Sequence, residues 1–179
     1  MEIDPLEPRL TVWNDGRGIP VELHPTEQLY VPELIFGHLL TGSNFDDDQK
    51  KTTGGRNGYG AKLANIFSSE FIVETADEAE GKVFKQVFKD NMMKVGKPSI
   101  KEKACTGWTK ITWTPDLSKF GMETLDDDIC DLFTRRAYDM AGCTHSSVKV
   151  FLNGKRITKR ITVMEDGTLI EDWASDEVE

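Results

Sequence analysis

The chain has little of several things, and each shortage excludes something. It carries three cysteines, Cys105, Cys130 and Cys143, with no Cys-x-x-Cys spacing. That excludes a disulfide framework and a cysteine zinc site, and suits a reducing compartment. The three histidines, His24, His38 and His145, are scattered and form no ligand cluster. Basic charge is outweighed: 22 Lys and Arg stand against 31 Asp and Glu, a net charge of −9. Phosphate-backbone binding needs clustered Lys and Arg, so this segment is not expected to hold nucleic acid by itself. No apolar run is long enough for a membrane span. The start does not read as a secretory signal, because Glu2, Asp4 and Glu7 stand where a basic stretch belongs. What is present, in 179 residues that are 38% hydrophobic, is enough apolar material for about one domain with a core.

Glycine is concentrated in one place. In Thr52-Thr53-Gly54-Gly55-Arg56-Asn57-Gly58-Tyr59-Gly60-Ala61-Lys62-Leu63, the glycines run directly into Ala61-Lys62-Leu63-Ala64-Asn65-Ile66-Phe67, which reads as the first turns of a helix. Glycine admits positive φ and close backbone approach, and a helix start presents free N–H groups at the positive end of the dipole. With Lys62 inside it, this pattern suits a phosphate cradle. A plain glycine-rich turn ahead of a helix is the alternative. A P-loop does not fit, because Ala61 precedes Lys62 and Leu63 replaces the magnesium-binding hydroxyl. The dinucleotide fingerprint does not fit either, since the glycines run in the reverse order, Gly55-x-x-Gly58-x-Gly60.

A second element, Thr11-Val12-Trp13-Asn14-Asp15-Gly16-Arg17-Gly18-Ile19-Pro20, is a short apolar strand entering a glycine turn. A carboxylate or amide there can accept a hydrogen bond from an adenine amino group. Taken alone, an Asn-Asp-Gly turn between strands explains it as well.

The rest supplies a frame. Leu10 to Trp13, Phe71 to Thr75, Lys82 to Phe88 and Thr109 to Trp113 read as strands, the Lys82 and Thr109 segments with one apolar face each. Val31 to Leu40 reads as a short apolar helix, and Thr41 to Tyr59 as a polar loop suited to a mobile lid. Thr124 to Ala141 has the clearest helical period, with Thr124 as cap, Gly142 as stop and its apolar residues assigned to core. Val148 to Leu152 is a strand turning at Asn153-Gly154 into Lys155 to Thr158. Ile161 to Met164 and Thr168 to Trp173 suggest a further hairpin. The last residues form an acidic tail.

The two glycine elements, in this order and about 40 residues apart, resemble the GHKL ATPases. Tyr30-Val31-Pro32-Glu33-Leu34-Ile35-Phe36-Gly37-His38-Leu39-Leu40-Thr41-Gly42-Ser43-Asn44-Phe45-Asp46-Asp47-Asp48, Phe71-Ile72-Val73-Glu74-Thr75-Ala76, Pro115-Asp116-Leu117-Ser118-Lys119-Phe120 and Val150-Phe151-Leu152-Asn153-Gly154 narrow the resemblance to the ATPase domain of eukaryotic type II DNA topoisomerases. It extends over roughly residues 9 to 157.

That resemblance implies an α+β fold, a two-layer sandwich of Bergerat/GHKL type, here lacking its N-terminal helix layer. It divides the chain into a partial ATP-binding domain over 1–157 and a divergent C-terminal tail over 158–179. It implies that Asn14 and Thr109 read the adenine. Ser43 and Asn44 contact ribose and phosphate, and Gly55, Arg56, Asn57, Gly58, Tyr59, Gly60, Ala61 and Lys62 cradle the triphosphate. Gly42 stands where the family has serine, so a side-chain contact is expected to be lost. ATP is the implied ligand, with Mg2+ bridging its phosphates in the intact enzyme. DNA and a homodimeric partner engage the intact enzyme, in the nucleus. The helix with the general-base Glu and the magnesium-binding Asn belongs before Asn14, where only thirteen residues with two prolines stand. No catalytic residue and no metal ligand are therefore assigned. Two alternatives stay open: a truncated, non-catalytic copy of the domain, and the ATP-binding domain of another GHKL protein.

Overall fold

The structure is a computed structural model that describes residues 1–38, 58–166 and 168–176. The chain forms two compact units, one of Met1–Leu10 with Glu123–Glu179, the other of Thr11–Met122. Strand β1 (Glu2–Asp4) leads into β2 (Arg9–Asn14) through a turn in which Asp4 Oδ1 accepts from the Leu6 and Glu7 amides.

In the Thr11–Met122 unit, α1 (Val31–Gly37) and α2 (Gly60–Ile66) precede β3 (Ser68–Asp77), β4 (Lys82–Lys89), β5 (Lys94–Val95), β6 (Ser99–Glu102) and β7 (Trp108–Pro115). The strand order is β2-β7-β3-β4-β5, with β6 also paired to β4. β3 is the antiparallel centre: Phe71 faces Phe88 and Trp113, Val73 faces Gln86 and Ile111, Thr75 faces Phe84 and Thr109. Strand alternation puts these residues on one face. Phe71, Val73, Phe84 and Phe88 there join Phe36 of α1 and Val21 in the core, each 8% exposed or less. Phe36 and Phe71 ring centres lie 6.1 Å apart, and a Cβ on Gly37 would come 3.1 Å from the Phe88 ring. The opposite face is charged, with Glu70–Lys89 at 3.1 Å and Glu74–Lys85 at 3.2 Å on facing strand positions.

α1 starts with proline near its first position, where a missing N–H costs nothing. It ends at Gly37, earlier than the period of apolar residues through Leu40 suggests, with His38 N–H returning to Leu34 O. Leu39 and Leu40, and the expected lid up to Asn57, lie outside the described residues.

In the other unit, α3 (Asp127–Cys143) accompanies β8 (Phe151–Leu152), β9 (Lys155–Val163) and β10 (Leu169–Asp176). The cap is Asp126, whose carboxylate accepts from Ile129 N–H, rather than Thr124. Gly142 lies inside the helix, and Thr144 ends it. Ala137 alone of the helix is fully buried, while Leu132 and Met140 remain about half exposed. An apolar period shows which face seeks cover, not how much cover is available, so this helix is less of a core element than its sequence suggests. The Asn153-Gly154 turn forms as read, with φ of 48° and 78°, the pair of positive angles that a two-residue hairpin needs. Ile161 to Val163 is the end of one long strand from Lys155, paired along its length with β10.

Candidate functional site

The site is built where β2 leaves the sheet. Asn14 Oδ1 accepts from Gly16 N–H at 3.1 Å, so the exposed side chain shapes its own turn. The backbone then crosses the ends of two strands. Gly18 holds φ at 78°. A Cβ there would fall 1.8 Å from the Ala76 carbonyl oxygen, and a Cβ on Gly107 would fall 2.5 Å from the Arg17 carbonyl. Glycine is required at both positions for the layers to touch. Ile19 N–H donates to Thr75 Oγ1 at 3.0 Å, and Val21 N–H to Asp77 Oδ2 at 2.9 Å. The second Asp77 oxygen accepts from Ala79 and Glu80, which closes the turn towards β4. Thr75 in turn meets Thr109 Oγ1 at 3.0 Å. The turn that Asn14 opens and the strand that carries Thr109 are thus joined through Thr75.

Thr75, Asp77 and Gly107 were not singled out from the sequence. A signal existed. Phe71, Val73, Thr75 and Asp77 share the inward period of β3, so a hydroxyl and a carboxylate continue the buried face. Buried polar groups of this kind need partners, and here the partners are the amides of the turn.

At the start of α2, positive φ falls on Gly58, at 65°. Gly60 is helical, and a Cβ there would meet nothing within 4 Å. The positive φ that glycine admits is thus used at Gly58 and not at Gly60. Tyr59 is the N-cap residue without a side-chain cap, and Gly60 and Ala61 are exposed. Lys62 is 3% exposed, and its Nζ donates to Gly58 O at 2.8 Å. Burial lowers its pKa from the ordinary lysine value. Its ammonium ties the helix to the preceding loop. The helix is seated by Asn65, whose Nδ2 donates to Phe36 O at 3.0 Å, and by Asn91, which donates to Ile66 O. Ser43, Asn44, Gly55, Arg56 and Asn57 lie outside the described residues.

Among the described residues no three Asp, Glu, His or Cys side chains converge as metal ligands.

A helix-backed antiparallel sheet with a glycine turn packed on its strand ends is the fold of the GHKL-type ATPase region. The ATPase region of Saccharomyces cerevisiae topoisomerase II, solved bound to ICRF-187, superposes with a TM-score of 0.83 at 51% identity, over 87% of this chain and 41% of that one. The chain is 58% identical over 156 residues to DNA topoisomerase 2 of Arabidopsis thaliana and 57% over 155 to human DNA topoisomerase 2-alpha. Each match takes in 87% of this chain, which spans 11% and 10% of those relatives' lengths. No family model matches the chain. The chain belongs to the eukaryotic type II DNA topoisomerase family, in its ATPase region.

Proposed function

We propose that this chain is the ATP-binding part of a type II DNA topoisomerase. The observation that carries the reading is the likeness, in sequence and fold together, to the solved topoisomerase II ATPase region. Asn14 and Thr109 form the base end of the site, and Gly58 to Lys62 the described part of the phosphate end. In the intact protein, ATP use drives DNA strand passage, with magnesium on the phosphates, a homodimer closing over the DNA, and the nucleus as the compartment. The net charge of −9 favours DNA contact through other parts of that protein.

Calorimetric titration of a non-hydrolysable ATP analogue and of adenosine tests this. Lys62→Ala should weaken the triphosphate more than the nucleoside, by about 1.5–3 kcal/mol, the worth of a charge-assisted hydrogen bond. Equal loss for both ligands in a folded variant would remove Lys62 from the phosphate end. Magnesium should add little, since the described residues bring no ligand set of their own. A large magnesium-dependent gain would reveal ligands outside them.

A further inference from the structure

Thr75 is fully buried, and its hydroxyl oxygen has three neighbours. Trp108 O lies at 2.9 Å, Ile19 N at 3.0 Å and Thr109 Oγ1 at 3.0 Å. A hydroxyl has one proton and two lone pairs. The Trp108 carbonyl can only accept, so the Thr75 proton goes there. The Ile19 amide can only donate, so it takes one lone pair. The remaining lone pair is left for Thr109, and the proton in that contact must be Thr109's own. The Thr109 hydroxyl therefore spends its proton inward, and its side away from Thr75 carries lone pairs alone. Thr109 is only partly buried, and where it receives the base, that lone-pair side is what it offers.

We propose that Thr75 is a positioning residue which sets the hydrogen-bond polarity of Thr109, so that the site selects a purine bearing an amino group over one bearing a carbonyl at the same edge. This rests on the reading that Thr109 and the Asn14 turn receive the base. An amino N–H meets a ready acceptor. A carbonyl oxygen meets lone pairs. Turning the Thr109 proton outward to greet it strips Thr75 of a buried partner, which costs free energy. Sites that hydrogen-bond one partner reject its analogue for this reason.

The test compares ATP with inosine triphosphate, which has a carbonyl in place of the amino group, by calorimetry on the full chain. The parent should prefer ATP by about tenfold or more, the ratio that one net hydrogen bond supports. Thr75→Val frees the Thr109 hydroxyl to rotate and should bring the two affinities to within about threefold, less than one hydrogen bond's worth. Thr75→Ser should restore the preference. Thr109→Val removes the acceptor without altering β3 and should flatten the ratio too, which decides the matter if Thr75→Val does not fold. Mere loosening would weaken both nucleotides together and keep the ratio, and that result in either valine variant overturns the proposal. A parent that binds both nucleotides equally overturns it alone. A parent that binds neither overturns the ATP-site reading, and this inference with it.

Discussion

Replacing Gly18 by alanine should lift the Asn14–Val21 turn off β3. The new Cβ would lie 1.8 Å from the Ala76 oxygen and 2.9 Å from its carbon, both backbone atoms that cannot swing aside. The residue also sits at φ 78°, where an L side chain costs about 1–2 kcal/mol. Moving the turn breaks Ile19 N–H to Thr75 and Val21 N–H to Asp77. The first is a neutral hydrogen bond worth about 0.5–1.5 kcal/mol, and the second, to a carboxylate, is worth about 1.5–3 kcal/mol. The combined loss is about 3–6.5 kcal/mol, set against a typical total stability of about 5–15 kcal/mol. The variant should stay folded in buffer, with a markedly lower urea midpoint and faster amide exchange at Ile19 and Val21. Gly16→Ala is the control. Its Cβ would approach only the Asn14 side-chain oxygen, at 2.9 Å, and a flexible side chain can yield. If Gly18→Ala unfolded within about 1 kcal/mol of the parent, below the strain cost alone, with both amides still protected, the turn would not be anchored as described.

Three further outcomes follow from single residues. Gly58→Ala should cost about 1 kcal/mol because of its positive φ, while Gly60→Ala, helical and unobstructed, should stay within about 1 kcal/mol of neutral. Thermal melts that reverse that order would contradict the α2 boundary. Lys62 is buried with its pKa lowered, so on raising pH the folded chain releases this proton before the unfolded chain does. Between the lowered value and 10.5 the unfolded state holds more protons, and stability rises with pH in that window. Lys62→Met should lack the rise, and urea midpoints with the same pH slope in both proteins would refute it. Asp126→Ala should cost about 1 kcal/mol by removing the α3 cap, read from a helix-sensitive melt, and no change would assign the cap elsewhere.

The sequence by itself determined the local pieces. Alternation located β3, β4 and β7, because a strand half-buried against helices must alternate. Asn153-Gly154 named its turn, because few residues adopt two positive φ angles in succession. The two glycine elements marked where a backbone must come close to something. Periodicity stopped short of saying how much of α3 would be covered, since burial depends on what packs opposite, and Ala137 alone of the helix is fully buried. Only the tertiary structure decided which glycines are indispensable. Gly18 and Gly107 are fixed by backbone pressed against them, and Gly60 has open space, though all three read alike as letters. It also joined Thr75 and Asp77 to amides 56 residues away in the chain. A hydrogen bond is set by distance and direction in space, and no local pattern around Thr-Ala-Asp encodes which amide will arrive there.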